Sequence, residues 1–307
     1  MHKVTLIGAP TDIGACALGA SLGPDALRVA GIAQALRAWD LEVVDAGNLA
    51  GPINPEAGVV DGYRHLAEVV AWNHSVFSAV EHALAAGALP LLMGGDHCLA
   101  IGSISAVAAH CRRQHKRLVV LWFDAHADAN TSATSPSGNL HGMPVACLLG
   151  HGPAALTGLG CEPGAHPMHA EQFNLLGVRS VDPAEKRFVH ELGVAVYDMR
   201  YLDEFGVRAT MLKVLAEADE HTHIHVSLDM DGIDPGIAPG VSTPVRGGLD
   251  YREAQLCMEM ISDTGRLASI DIMEINPAND VRNQTAQLAV DLIESLFGKT
   301  TLMRRRS

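Results

Sequence analysis

No stretch of this 307-residue chain stays apolar for the roughly 18 residues that a membrane-spanning helix needs. The nearest, around Val76 to Met93, is interrupted by Glu81 and His82. The opening MHKVTLIGAP has too short an apolar part for a signal peptide. Its six cysteines, Cys16, Cys98, Cys111, Cys147, Cys161 and Cys257, form no CxxC pair. That pattern excludes a thiolate zinc site and a disulfide framework, and implies reduced thiols in a cytoplasm. Positive charge is also scarce: 22 Lys and Arg stand against 35 Asp and Glu, a net charge of −13. Such a chain offers no broad basic surface to a nucleic acid. The acidity suits a cationic small substrate, although most soluble acidic proteins share it.

What is present describes an ordinary globular protein. Hydrophobic residues make up 48% and charged residues 19%, enough for a sizeable core without staples. Short aliphatic or β-branched runs predict strands near Lys3–Ile7, Glu42–Asp45, Leu89–Met93, Leu118–Phe123, Phe173–Leu176, Ala195–Asp198, His223–Leu228 and Leu267–Ile272. Helical spacing fills much of the intervening chain. It begins with GPDALRVAGIAQALRAW, where Pro24 suits a first turn, and recurs over Asp61–Ala86, Leu99–Cys111, Tyr251–Thr264 and Asn283–Phe297. Strands alternating with helices predict a parallel sheet covered on both faces. Eight strands suit a closed barrel as well as an open sheet. No internal repeat or linker divides residues 1–307, so a single catalytic domain is expected. The loops Ala46–Pro55 and Gly150–Pro167 are rich in Gly and Pro. The second is long enough for a functional flap and equally suits a surface excursion.

Donor-type side chains cluster where three of these strands end. WFDAHADAN sets Asp124, His126 and Asp128 at every second position after an apolar run. Alternate strand side chains share a side, so the three converge if the extended backbone continues past Phe123. HVSLDMDGIDP repeats the device with Asp229 and Asp231. In GGDHCLA, Gly94 and Gly95 permit a sharp turn from which His97 emerges, and Asp96 suits a helix N-cap. One Asp or His at a strand end commonly caps a helix or faces water; three clusters on three parallel strands ask for more. Four carboxylates at one edge need counter-charge, which two divalent cations supply. Six side chains are few for two octahedra, so some Asp must bridge and water must complete the shells. Oxygen-rich ligation with two imidazoles and no thiolate points to Mn²⁺, with Co²⁺, Ni²⁺ or Fe²⁺ as alternatives; Mg²⁺ is a poor partner for imidazole.

With SGNLHGMP at Ser137–Pro144 and DIMEINP at Asp271–Pro277, these segments resemble the arginase branch of the ureohydrolase family. GPDALR near the N-terminus and GGLDYREA at Gly247–Ala254 extend the resemblance over nearly the whole chain. It implies an α/β fold, a three-layer α/β/α sandwich with an eight-stranded, mainly parallel sheet, and so decides against the barrel. It implies one Mn²⁺ held by His97, Asp124, Asp128 and Asp229, and another by Asp124, His126, Asp229 and Asp231. Asp234 has no ligand role in that pattern and is read as a turn residue or as a support behind the ligands.

The chemistry implied is hydrolysis of L-arginine to L-ornithine and urea by a metal-bridging hydroxide. A water between two divalent ions can ionise near a pH of about 7. His141, with Glu274 and Asp128, completes the catalytic set, His141 carrying a proton to the departing amine. Glu274 is the anion for the guanidinium, and Thr243 is a further pocket position. Ser242 stands where many relatives have glycine, which bears on how Thr243 is presented and on substrate preference. The resemblance places the α-carboxylate against Asn130, Ser135, Ser137 and Asn139, and the α-amino group near Asp182 and Glu185.

Agmatinase, or another guanidino-acid ureohydrolase, would keep the metals and change the mouth; SPSGNLHGMP favours arginase. A dinuclear phosphoesterase would want basic groups or a glycine cradle beside these motifs, and none is there. A metal-dependent deacetylase-like amidohydrolase would normally use one zinc. A non-catalytic relative would have lost ligands, and all six stand. Family members commonly form homotrimers or homohexamers, and the basic tail Arg304–Arg306 is either a solvated end or part of a subunit contact.

Overall fold

The computed structural model describes residues 3–162 and 164–300. The tail Arg304–Arg306 lies outside them. All eight expected strands form, in one sheet: β1 (Lys3–Gly8), β2 (Glu42–Asn48), β5 (Leu89–Met93), β6 (Arg117–Phe123), β7 (Phe173–Leu176), β8 (Ala195–Tyr197), β9 (Thr222–Asp229) and β10 (Leu267–Met273). Their order is β2-β1-β5-β10-β9-β6-β7-β8, and every pairing is parallel. The sheet is open, with β2 and β8 at its edges, so the barrel does not form. A separate hairpin, β3 (Val59–Val60) with β4 (Tyr63–Arg64), stands apart from it.

Helices cover both faces. One face carries α1 (Gly23–Val29), α2 (Ile32–Arg37), α10 (Tyr251–Thr264) and α11 (Gln284–Leu296); the other carries α3 (Leu66–Ala85) and α4 (Ala100–Gln114). Strand alternation sorts the core accordingly: Leu121 and Phe123 of β6 join the first layer, Leu118, Val120 and Trp122 the second. The short helices α5 (Pro144–Leu148), α6 (Ala154–Thr157), α7 (Pro183–Leu192), α8 (Met199–Phe205) and α9 (Val207–Val214) fill the remaining connections.

Two expected helices have other bounds, and the short helices α5 to α9 were not expected from the sequence. The first is broken at Gly31, whose φ of 87° is left-handed, giving α1 and α2 instead of one rod. The helix expected from Asp61 begins at Leu66, because Asp61 and Gly62 (φ 51° and 81°) turn the hairpin first. The amphipathic α7 escaped notice because only Pro183 and the acidic Asp182 and Glu185 mark its start. The Gly150–Pro167 loop contains α6 and is tied down by Arg112, which donates to the carbonyls of Gly160 and Pro167. None of its described residues lines the pocket described next. Among the described residues no helix is long and apolar enough to cross a membrane.

Candidate active site

Three strands from the middle of the sheet, with β10 between two of them, deliver the donor side chains to its carboxyl edge, where α/β folds bind ligands. They come from the ends of β5, β6 and β9. The strands stop at Met93, Phe123 and Asp229, so simple alternation does not bring the donors together. Aspartate-centred turns do. Asp124 Oδ1 accepts from His126 N at 2.7 Å, Asp229 Oδ1 from Asp231 N at 2.7 Å, and Asp96 Oδ1 from Cys98 N at 3.0 Å. Asp96 is thus the expected N-cap, of the single turn His97–Leu99. Asp128 reaches the cluster from a left-handed backbone, φ 49°. The Gly94–Gly95 turn needs glycine for close approach: a Cβ on Gly95 would collide with the Thr11 backbone, and one on Gly94 with Met273.

The donor atoms face one another. His97 Nδ1 lies 3.0 Å from Asp229 Oδ2, 3.2 Å from Asp124 Oδ2 and 3.3 Å from Asp128 Oδ2. His126 Nδ1 lies 3.1 Å from Asp231 Oδ2 and 3.4 Å from Asp124 Oδ1. Asp124 therefore faces both histidines with different oxygens. Two groups result, His97–Asp124–Asp229 and Asp124–His126–Asp231, each with ligand atoms close enough to grip one ion.

The electrostatics ask for cations. Burial and neighbouring carboxylates push Asp128, Asp229 and Asp231 above the usual range, Asp128 and Asp229 well above it. Burial acts the same way on Asp124, but its contacts with His126 and His97 win and hold it low. Burial opposes protonation of His97 and His126, yet the adjacent carboxylates raise them to about 9 and about 12. Two imidazolium charges cannot balance four carboxylates. Divalent cations would neutralise the remainder and compete with those protons for the same lone pairs. The donor set fits a binuclear metal site.

Trp122, Ser227 and Arg179, which sequence reading passed over, hold this cluster together with the expected pocket residue Thr243. Trp122 stacks on His97, and its Nε1 donates to Asp124 Oδ2 at 2.9 Å. Ser227 Oγ meets His97 Nε2 at 2.8 Å, which leaves Nδ1 for the cluster. Thr243 Oγ1 donates to Asp231 Oδ2 at 2.9 Å. Arg179 donates to the carbonyls of Asp231 and Gly232, fixing the turn after β9. Ser227 was findable, because strand alternation puts it on the same side as Asp229. Trp122 reads as mere core.

A cavity of about 230 Å³ opens above the cluster. His126, Asp128, Asp229, Asp231, Thr243, His141 and Glu274 line it, as do Asn130, Ser135, Ser137, Asn139, Asp182 and Glu185, with Pro136, Gly142 and Ser180 between them. His97 and Asp124 are buried behind it. Every sequence-predicted site residue is therefore at one place. His141 Nδ1 lies 3.1 Å from Glu274 Oε1, which also accepts from His97 N at 2.9 Å. Burial opposes a charge on His141, but Glu274 and Asp96 outweigh it and raise its pKa. Glu274 has a left-handed φ of 61°, and its Oε2 is buried with no hydrogen-bond partner among the described residues. Such an orphan costs free energy unless a ligand donates to it.

The rest of the lining is polar and ordered. Asn130 gives its amide nitrogen to Asp182 at 3.3 Å, and its Oδ1 is buried without a partner among the described residues. The hydroxyls of Ser135 and Ser137 accept from the backbone N–H groups of Gly138 and Asn139, at 3.0 and 3.3 Å. Glu185 accepts from Ala129 N at 2.9 Å and closes a capping box with Asp182. Ser242 Oγ accepts from Asn276 Nδ2 at 3.0 Å. Asp234 accepts from the N–H groups of Gly236, Gly247 and Gly248, as a turn residue should.

An open parallel sheet with a buried His/Asp cluster fitted to two cations beneath a polar cleft describes a metal-dependent hydrolase. The Arginase family model matches residues 2–298, and the chain belongs to that family. It is 42% identical over 305 residues to the arginase of Bacillus caldovelox, covering 97% of this chain and 99% of that one. The solved B. caldovelox arginase superposes with a TM-score of 0.92 at 40% identity, covering 98% of this chain and all (100%) of the other. The Entamoeba histolytica arginase, solved in complex with L-ornithine, matches with a TM-score of 0.88 at 30% identity, covering 97% of this chain and 100% of the other.

Proposed function

We propose that the protein is an arginase, hydrolysing L-arginine to L-ornithine and urea. The observation that carries this reading is Glu274 Oε2, a buried acceptor without a partner among the described residues, on a side chain that lines the cavity beside the metal-fitted cluster. A guanidinium, with several N–H groups in a plane, is the complement of such a carboxylate.

His97, Asp124, Asp128 and Asp229 would hold one divalent cation, and Asp124, His126, Asp229 and Asp231 the other. Carboxylate oxygens with two imidazoles favour Mn²⁺, with Co²⁺ or Ni²⁺ as substitutes. Two such ions supply the Lewis acidity that makes water a nucleophile near neutral pH. The chain's own residues do the rest. Glu274 Oε2 accepts from the guanidinium and presents its carbon to the water. Glu274 Oε1 keeps His141 protonated, so the imidazolium can give its proton to the side-chain nitrogen as the C–N bond breaks. The amine then leaves as a neutral molecule instead of an unstable amide anion. Thr243 holds Asp231, and Trp122 holds both His97 and Asp124.

The mouth is polarised. On the Asp182 side, Asn130 offers the bare oxygen Oδ1, an acceptor for an α-ammonium. The resemblance implies that Asn130 meets the carboxylate, and one N–H of its amide nitrogen also donates to Asp182 at 3.3 Å. On the other side, the Ser135 and Ser137 oxygens accept backbone N–H groups and lie 3.4 Å from each other, so one O–H serves the neighbouring hydroxyl and the other is left to donate to a carboxylate. Acceptors opposite donors match the two ends of an α-amino acid; agmatine keeps the amine and lacks the carboxylate. Glu185 spends both oxygens on backbone, so its part at the mouth is to hold Ala129 and Asp182.

Urea release from L-arginine and agmatine, with elemental analysis of the same sample, tests this. The expected kcat/KM for arginine exceeds that for agmatine by about 100-fold or more, the loss of the charged carboxylate that the mouth anchors. Comparable rates would reject the assignment. A homotrimer or homohexamer is the assembly we propose; sedimentation of the full chain checks it.

A further inference from the structure

The two ends of the Asn139 amide have different surroundings. Oδ1 accepts twice, from Arg64 Nε at 3.1 Å and from Cys16 Sγ at 3.1 Å. Nδ2 has no hydrogen-bond partner among the described residues, and Asn139 lines the cavity. An amide oxygen and nitrogen are often interchangeable, but here they are not. A guanidinium N–H cannot accept, so turning the amide over would set N–H against N–H at Arg64 and leave only a weak contact with the Cys16 sulfur. The N–H₂ group is thereby aimed into the pocket, beside Ser135 and Ser137.

Arg64 is well held for this task, though it does not itself line the cavity. It ends β4, its backbone N–H donates to Gly138 O at 2.8 Å, and its Nη1 reaches Ala57 O at 3.4 Å. The hairpin sits directly behind the segment Asn130–Asn139. Gly62 and Gly138 both take positive φ (81° and 70°), and each lies where a side chain would strike the other segment. The hairpin therefore places a cation behind the donors that face an α-carboxylate. A cation on the amide oxygen also polarises the amide and strengthens its N–H donors. Cys16 adds a second, weaker donor, since a thiol hydrogen bonds poorly.

We infer that Arg64 is a positioning residue that sets the preference for a guanidine bearing a carboxylate, by fixing Asn139 with its amide nitrogen inward. This rests on the arginase reading and deepens it. Arg64 touches neither the guanidinium end nor the metal cluster, so its effect is confined to substrates that carry the carboxylate.

The test is steady-state kinetics of the full-length, metal-saturated protein on L-arginine and agmatine, with Arg64→Met, Arg64→Lys, Cys16→Ala, Asn139→Ala and the Arg64→Met/Asn139→Ala double variant. Thermal melts certify that each folds. Arg64→Met is expected to raise KM for arginine about tenfold with kcat within about twofold, and to leave KM for agmatine unchanged. Arg64→Lys recovers part of the loss, and Cys16→Ala costs about two- to threefold. The double variant is no worse than Asn139→Ala alone, because both changes act through one amide. Arg64→Met raising KM for both substrates alike, lowering kcat, or adding fully to Asn139→Ala would overturn the inference. So would an unchanged KM for arginine in an otherwise arginine-specific enzyme, which leaves the arginase reading standing. Wild-type protein that hydrolyses agmatine as well as arginine overturns both.

Discussion

Trp122 lies flat on His97, ring centroids 4.0 Å apart and planes 9° apart. From that position its indole N–H reaches Asp124 Oδ2 at 2.9 Å. One buried side chain thus orients two donors from different strands. The stacking fixes the plane of the imidazole, and the N–H fixes which Asp124 oxygen turns towards His97.

Trp122→Phe keeps a ring for the stacking and removes the donor. We expect metal affinity to fall about tenfold, in line with the loss of other hydrogen bonds behind metal ligands. Activity at saturating metal should recover to within a few-fold of wild type. Competition against a chelator of known affinity measures the first, and urea release the second. Unaltered affinity would reduce Trp122 to core packing.

His141 touches Glu274 but none of the cluster donors within hydrogen-bond range. His141→Asn should therefore slow urea release by about 10²- to 10⁴-fold, the usual worth of a positioned proton carrier. Its metal content should match wild type. If the variant loses metal, the division between proton carrier and ligands is wrong.

Removing the metals should also weaken the fold. Four carboxylates in contact with two imidazoles are held together against their own repulsion and burial. Each cation binding only the folded protein contributes about 2.7 kcal/mol at a hundred times its Kd. Chelated protein should melt at lower temperature and release no urea, and Mn²⁺ should restore both. A melting temperature indifferent to metal would mean that the cluster binds none.

The sequence displays some layers of this structure and hides others. The strands were legible because doubly buried strands read as unbroken apolar runs, such as VVLWF and LPLLM. The donors were legible because they follow those runs directly. Hidden were the features set by tertiary neighbours. The turn geometry that gathers Asp124, His126 and Asp128 depends on side chains accepting their own backbone N–H groups. The Gly31 break inside an unbroken helical pattern needs a left-handed residue that periodicity does not see. The hairpin behind Asn139 is two residues per strand, too short for alternation to register. Nothing local marks Arg64 as the partner of a residue 75 positions away.

The last prediction concerns a histidine remote from the cluster. His223, on β9, is 3% exposed, and Nε2 meets Ser269 Oγ at 3.0 Å. Burial, with the nearby His225, His110 and Lys116, pushes its pKa down from 6.5 to about 3. The unfolded chain takes up a proton near pH 6.5 that the folded protein refuses until about pH 3. Between those values the unfolded state binds more protons, so stability falls as pH falls. The loss from this group should reach roughly 3 kcal/mol by pH 4, at 1.36 kcal/mol per unit. His223→Gln retains an amide for Ser269 and cannot titrate. Denaturant unfolding from pH 7 to pH 4, with both proteins treated alike for metal, gives the difference. Wild type should lose that much more stability than the variant over the interval, and parallel curves would show that His223 accepts its proton without unfolding.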